Sequence, residues 1–115
     1  MEIKILRQPV SLADVIALAK AQFGEMVKAT VDIERALIAI GGELHSDEEA
    51  ILLEDGSKQE HLWGINIYPE KLEEDRIEFD SMINIRPSQN NRSRGVENPA
   101  IQARILQVIK DMIQP

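Results

Sequence analysis

Cysteine is absent from all 115 residues. That excludes a disulfide framework, a thiol nucleophile and any metal site built on thiolates. Aromatic side chains make up only 3% of the chain, too few for a stacking platform on single-stranded nucleic acid. No apolar run approaches the roughly 18–20 residues of a membrane-spanning helix. The start, Met1-Glu2-Ile3-Lys4, lacks the basic region and apolar stretch of a secretory signal. Basic charge is also scarce: 13 Lys and Arg against 20 Asp and Glu give a net charge of −7. Bulk binding to nucleic acid or to an anionic membrane surface is therefore disfavoured. The expectation is a cytoplasmic protein with no membrane partner.

What is present is enough for a core. Hydrophobic residues account for 43% of the chain, and a chain of this length buries roughly two-thirds of its unfolded surface. Residues 1–115 read as a single globular domain.

Residues 2–7 read as a short strand stopped by Pro9. Ser11 followed by Asp14 is a helix start, and Leu12, Val15, Ile16, Ala19 and Phe23 form one helical stripe that Gly24 closes. From 26 to 33 the period falls to two. Val27, Ala29, Val31 and Ile33 take one face, Met26, Lys28, Thr30 and Asp32 the other. Ala36–Ile40 is the expected hairpin partner, although Glu34-Arg35 offers no Gly or Asn for the turn. Ser46 with Glu49 predicts a capping box and a second helix, ended by Gly56. Trp63, Ile65 and Ile67 mark another strand. Ile77, Phe79, Ile83 and Ile85 read as the inward face of a further one. Asn98-Pro99 caps a last amphipathic helix.

The order β-α-β-β-α-β-β-α predicts a two-layer α+β domain: an antiparallel or mixed sheet of about five strands, with three helices on one face. The other face would then be polar, carrying Lys28, Thr30, Asp32, Asn66, Tyr68, Glu78, Asp80, Asn84 and Arg86. Such a face is either solvent-exposed or a ligand or subunit surface.

Charge is unevenly spread. Residues 43–60 hold seven acids and one lysine, and residues 70–80 hold six acids with one lysine and one arginine. Arg86-Pro87-Ser88-Gln89-Asn90-Asn91-Arg92-Ser93-Arg94-Gly95 holds three arginines and no acid. Guanidinium groups pair bidentately with phosphate or carboxylate. Ser88, Asn90, Asn91 and Ser93 add neutral donors, and the loop feeds a helix N-terminus. Arg86, Ser88, Asn90, Asn91, Arg92, Ser93 and Arg94 are the candidate ligand-binding residues for a small anion. The competing reading has the arginines clamp the loop to the acidic segments. No G-x-x-x-x-G-K-[ST] or G-x-G-x-x-G pattern identifies a particular phosphate ligand.

His45 stands among carboxylates in Glu43-Leu44-His45-Ser46-Asp47-Glu48-Glu49. His45, Glu43 and Asp80 are the weaker candidates for acid–base chemistry, provided that His45 and the 86–95 loop meet in one cleft. Helix-start chemistry explains the acids without them, and no zinc-ligand spacing is present, so no metal site or cofactor is assigned. Asn91-Arg92-Ser93 matches the glycosylation sequon, discounted here for want of a secretory signal.

Two stretches carry a resemblance. One is Gly41-Gly42-Glu43-Leu44-His45-Ser46-Asp47-Glu48-Glu49 with Leu62-Trp63-Gly64-Ile65-Asn66. The other runs from Phe79-Asp80-Ser81-Met82-Ile83-Asn84-Ile85-Arg86-Pro87-Ser88-Gln89 through Arg92-Ser93-Arg94-Gly95. They resemble a small family of uncharacterised prokaryotic proteins, a domain of unknown function, over nearly the whole chain. The resemblance implies a stand-alone prokaryotic protein and no particular chemistry. The expected role is a non-enzymatic binding or regulatory module for an anionic ligand. A small metal- or His/carboxylate-dependent hydrolase and a protein-interaction subunit are the alternatives, and a homodimer is expected because a small sheet covers a face or edge that way.

Overall fold

Ser11 caps the first helix as expected: its Oγ accepts the N–H of Asp14 at 3.1 Å. The computed structural model describes residues 2–115. In chain order the elements are β1 (Lys4–Leu6), β2 (Val10–Ser11), α1 (Leu12–Ala21), β3 (Val27–Asp32), β4 (Leu37–Ile40) and α2 (His45–Glu54). Then follow β5 (Leu62–Ile67), β6 (Ile77–Glu78), α3 (Pro99–Met112) and β7 (Ile113–Gln114). Asn98 caps α3 by accepting the Ala100 N–H at 2.8 Å, with Pro99 in the first turn where its missing N–H costs nothing.

Five strands form one antiparallel sheet in the order β1-β4-β3-β5-β6. The expected α+β class and five-stranded sheet are both present. Outside that sheet, β2 and β7 make a short parallel pair that ties the C-terminal segment to the start of α1.

The β3–β4 turn dispenses with Gly and Asn. Asp32 Oδ1 accepts the N–H groups of Glu34 and Arg35, each at 2.9 Å. Ala36 takes a left-handed φ of 54° to close it.

The alternation in β3 separates two cores. Val27, Ala29 and Val31 pack with Ile38, Ile40, Trp63, Ile65 and Ile67 against α1 (Val15, Ala19) and α3 (Ile105, Val108, Ile109, Met112). On the opposite face, Ala39 and Leu62 pack against Leu52 of α2, flanked by Ile3 and Ile5. The expectation of all three helices on one face is therefore corrected, because α2 lies across the other. Its buried residues are His45, Glu48 and Leu52, a mixed stripe rather than an apolar one. That stripe suits a sheet face holding Thr30 and Asp32, both fully buried.

The expected strand through Ile85 is also corrected. Regular pairing stops at Glu78. Met82–Asn84 and Pro87–Gln89 are single 3₁₀ turns, and Ile85 is exposed. Among the described residues, no helix is long and apolar enough to cross a membrane.

Candidate functional site

The start of α2 departs from the predicted capping box. The cap position is Leu44, in extended conformation, and no side chain caps the helix; Ser46 and Glu49 fall inside it. The N–H groups of Asp47 and Glu48 turn back to Leu44 O at 3.1 and 3.4 Å. Those of His45 and Ser46 have no protein acceptor among the described residues. An uncapped first turn leaves N–H donors and the positive end of the helix dipole facing outward.

Glu48 turns inward instead. Its Oε2 accepts the Gly42 N–H at 3.0 Å, and its Oε1 shares a hydrogen bond of 3.1 Å with the Thr30 hydroxyl. Burial pushes its pKa up to about 9 against those two bonds, so the carboxyl is protonated at neutral pH.

His45 sits one turn earlier on the same helix face. Its Nε2 lies 2.7 Å from Ile65 O. A carbonyl oxygen only accepts, so Nε2 carries the proton and Nδ1 of the neutral ring is a lone-pair acceptor. Burial is the main reason its pKa falls below the ordinary value. Lys28 and Arg94 push the same way, while the bond to Ile65 and the charge of Asp80 oppose them.

Those charges mark a cleft of about 280 Å³ between the start of α2 and the segment after β6. Lys28 from β3, Arg94 from the polar loop and Asp80 bring charge to it. His45, Ser46, Asn66 and Ser81 bring neutral polar groups. Leu44, Met82 and Ile83 form its apolar wall. Asn66 is 7% exposed. Its Nδ2 donates to Glu78 Oε1 at 2.8 Å and to Asp80 O at 3.4 Å, which fixes the amide orientation. Its buried Oδ1 has no donor among the described residues. Two larger grooves, about 530 Å³ beside β1 and α1 and about 930 Å³ beside α3 and β7, are lined mainly by apolar side chains.

The 86–95 candidates divide three ways. Arg86 is only 9% exposed. Its guanidinium stacks 4.2 Å from the centre of the Trp63 ring and donates to the carbonyls of Gln59 and Leu62, the latter at 2.6 Å. Asn91 is buried, its Nδ2 donating to the carbonyls of Asn84, Ser93 and Gly95 and its Oδ1 accepting the Glu97 N–H. These two hold the loop. Ser88, Asn90, Arg92 and Ser93 lie on the surface, away from the cleft. The N–H groups of Arg92 and Ser93 both donate to Glu97 Oε2 at 2.8 Å, so an internal carboxylate already fills that backbone nest. The two bonds hold the Glu97 pKa below the usual range.

Arg94 alone reaches the cleft, with its Nε donating to Asp80 Oδ1 at 2.7 Å in an exposed pair. That bond uses one of its five N–H donors. His45 and Asp80 therefore meet the loop in one cleft, and Glu43 does not line it. Among the described residues, no group of three or more His, Asp and Glu could hold a metal ion. Lys28 and Asn66 were legible only as members of the polar sheet face. The uncapped helix start had no signal in the sequence, because Ser46 imitates a cap.

Fold and cleft define the class: a small α+β domain with α2 laid across the far side of its sheet and a charged cleft at that helix's start. The chain belongs to the family described as "Protein of unknown function (DUF5674)", whose model matches residues 4–112. No curated protein and no solved structure matches it.

Proposed function

We propose that the chain is a small binding protein whose ligand is an anion seated at the start of α2, between Lys28 and Arg94. One observation carries the reading: the uncapped first turn of α2 opens into the same cavity as both cations. Free N–H groups, a helix dipole and two cations favour the same kind of charge. The Glu97 carboxylate in the nest at Arg92 and Ser93 supports the cleft over the outer face of the loop.

The test is thermal unfolding of the wild type and the Lys28→Ala/Arg94→Ala double mutant, with inorganic phosphate and with acetate. Saturation at about a hundred times the dissociation constant adds about 2.7 kcal/mol, a shift of several degrees in a domain of this size. The wild type is expected to shift and the double mutant not to. An equal shift in both, or none in the wild type, overturns the reading.

A second reading has its own observation in support: His45 Nδ1 and Asp80 share the cleft with Arg94. A neutral imidazole acceptor beside a bound anion is the arrangement of a general base. Turnover of a carboxyl or phosphate ester by the wild type, lost in His45→Gln, would establish it.

A further inference from the structure

The cleft carries more acceptors than a simple anion needs. His45 offers Nδ1, because Nε2 is committed to Ile65 O. Asp80 keeps its second carboxylate oxygen, since Arg94 takes Oδ1. A plain carboxylate would satisfy the cations and leave these acceptors without protons. An unpaired buried acceptor costs free energy, so the matching ligand brings a donor of its own.

The rim adds a second requirement. Leu44 is 54% and Met82 is 66% exposed, and both line the cleft. Exposed apolar side chains at the mouth of a polar cavity are suited to an apolar portion of the ligand. Size adds a third. A cleft of about 280 Å³ suits a small metabolite.

We infer that the seat is built for a small hydroxy- or amino-carboxylate. Its carboxylate lies between Lys28, Arg94 and the first turn of α2. Its hydroxyl or ammonium group donates to the acceptors of His45 and Asp80. Its short apolar chain rests on Leu44 and Met82. This rests on the anion reading above and narrows it to a class.

The experiment is calorimetric titration of the wild type with hydroxyisocaproate, with leucine, with isocaproate lacking the donor, with glycolate lacking the apolar chain, and with inorganic phosphate. Hydroxyisocaproate or leucine is expected to bind at least about tenfold more tightly than isocaproate, the equivalent of one good hydrogen bond. Which of the two binds distinguishes hydroxyl from ammonium. The advantage over glycolate is expected to vanish in Leu44→Ala/Met82→Ala, which removes the apolar rim at two exposed positions without adding a helix cap. Equal binding of isocaproate and its hydroxy analogue, both weakened by Arg94→Ala, would overturn the donor class and leave the anion site standing. No binding of any carboxylate or of phosphate would remove both.

Discussion

The side-chain amide of Asn84 bonds both backbone groups of Gly64. Its Oδ1 accepts the Gly64 N–H at 2.8 Å and its Nδ2 donates to Gly64 O at 3.0 Å. Residues 62, 64 and 66 of β5 present their backbone groups to the same edge. At Asn66 that edge is paired by β6; at Leu62 its carbonyl takes the Arg86 guanidinium. Side chains thus continue the sheet where the sixth strand stops. The same Nδ2 also donates to Arg94 O at 2.9 Å, which ties the cleft's arginine to the sheet.

Asn84→Ala leaves the N–H and carbonyl of Gly64 without partners in a buried site, while Arg94 O keeps the Ser81 N–H. Leaving a buried group unsatisfied costs about 1–3 kcal/mol each, so a loss of at least about 2 kcal/mol in urea unfolding followed by Trp63 fluorescence is expected. Asn84→Asp is expected to be no better, because a carboxylate cannot donate to Gly64 O. A change below about 0.5 kcal/mol in both, the size of an ordinary surface substitution, would show that the amide does not hold the edge.

Gly64 is demanded by close approach rather than by backbone conformation. A Cβ there would stand 2.6 Å from the Ser81 Cβ and 3.1 Å from His45 Cδ2. Gly64→Ala is expected to destabilise by about 1–3 kcal/mol. Ser81→Gly in the same chain removes the nearer clash and should restore part of that loss, a favourable coupling visible in a double-mutant cycle. Additive losses would contradict the contact.

Glu48 makes stability depend on alkaline pH. The folded protein holds its proton to about 9, whereas the free side chain releases it near 4.5. Between those values the folded state binds more protons than the unfolded one, so stability falls as pH rises. The contribution is whole below the lower value and gone above the upper one. His45 acts in the opposite sense: its folded pKa is lowered from 6.5, so stability falls as pH drops below that value. Glu48→Gln keeps both hydrogen bonds without the titration. It is expected to flatten the loss between about pH 6 and 9, where one proton accounts for at most about 1.4 kcal/mol per pH unit. Parallel pH profiles for mutant and wild type would show that Glu48 is charged when folded.

Much of the frame was legible in the residues. Ser11 and Asn98-Pro99 gave correct helix starts because a cap is a local arrangement of a few residues. The alternation at 27–33 gave the β3 faces because one of them packs on two helices. The place of α2 was not legible, since His45, Glu48 and Leu52 form no apolar stripe. Nor was the end of β6: Ile83 and Ile85 continue the alternation, but the Asn84 side chain takes the place of the next ladder bond. Within the polar loop, composition alone could not separate Arg86, stacked on Trp63, from Arg94 at the cleft. That difference depends on which residues lie across the fold. The cleft itself needed the phases of β3 and β5 together with the position of a helix that has no apolar pattern.

The most direct measurement is a ¹H–¹⁵N spectrum of the protein titrated with inorganic phosphate, and with hydroxyisocaproate, at constant ionic strength. The account predicts saturable shifts of the His45 and Ser46 amides, with Lys28 and Arg94 following the same isotherm. Shifts confined to Arg92 and Ser93, or none that saturate, would contradict an anion seat at the start of α2.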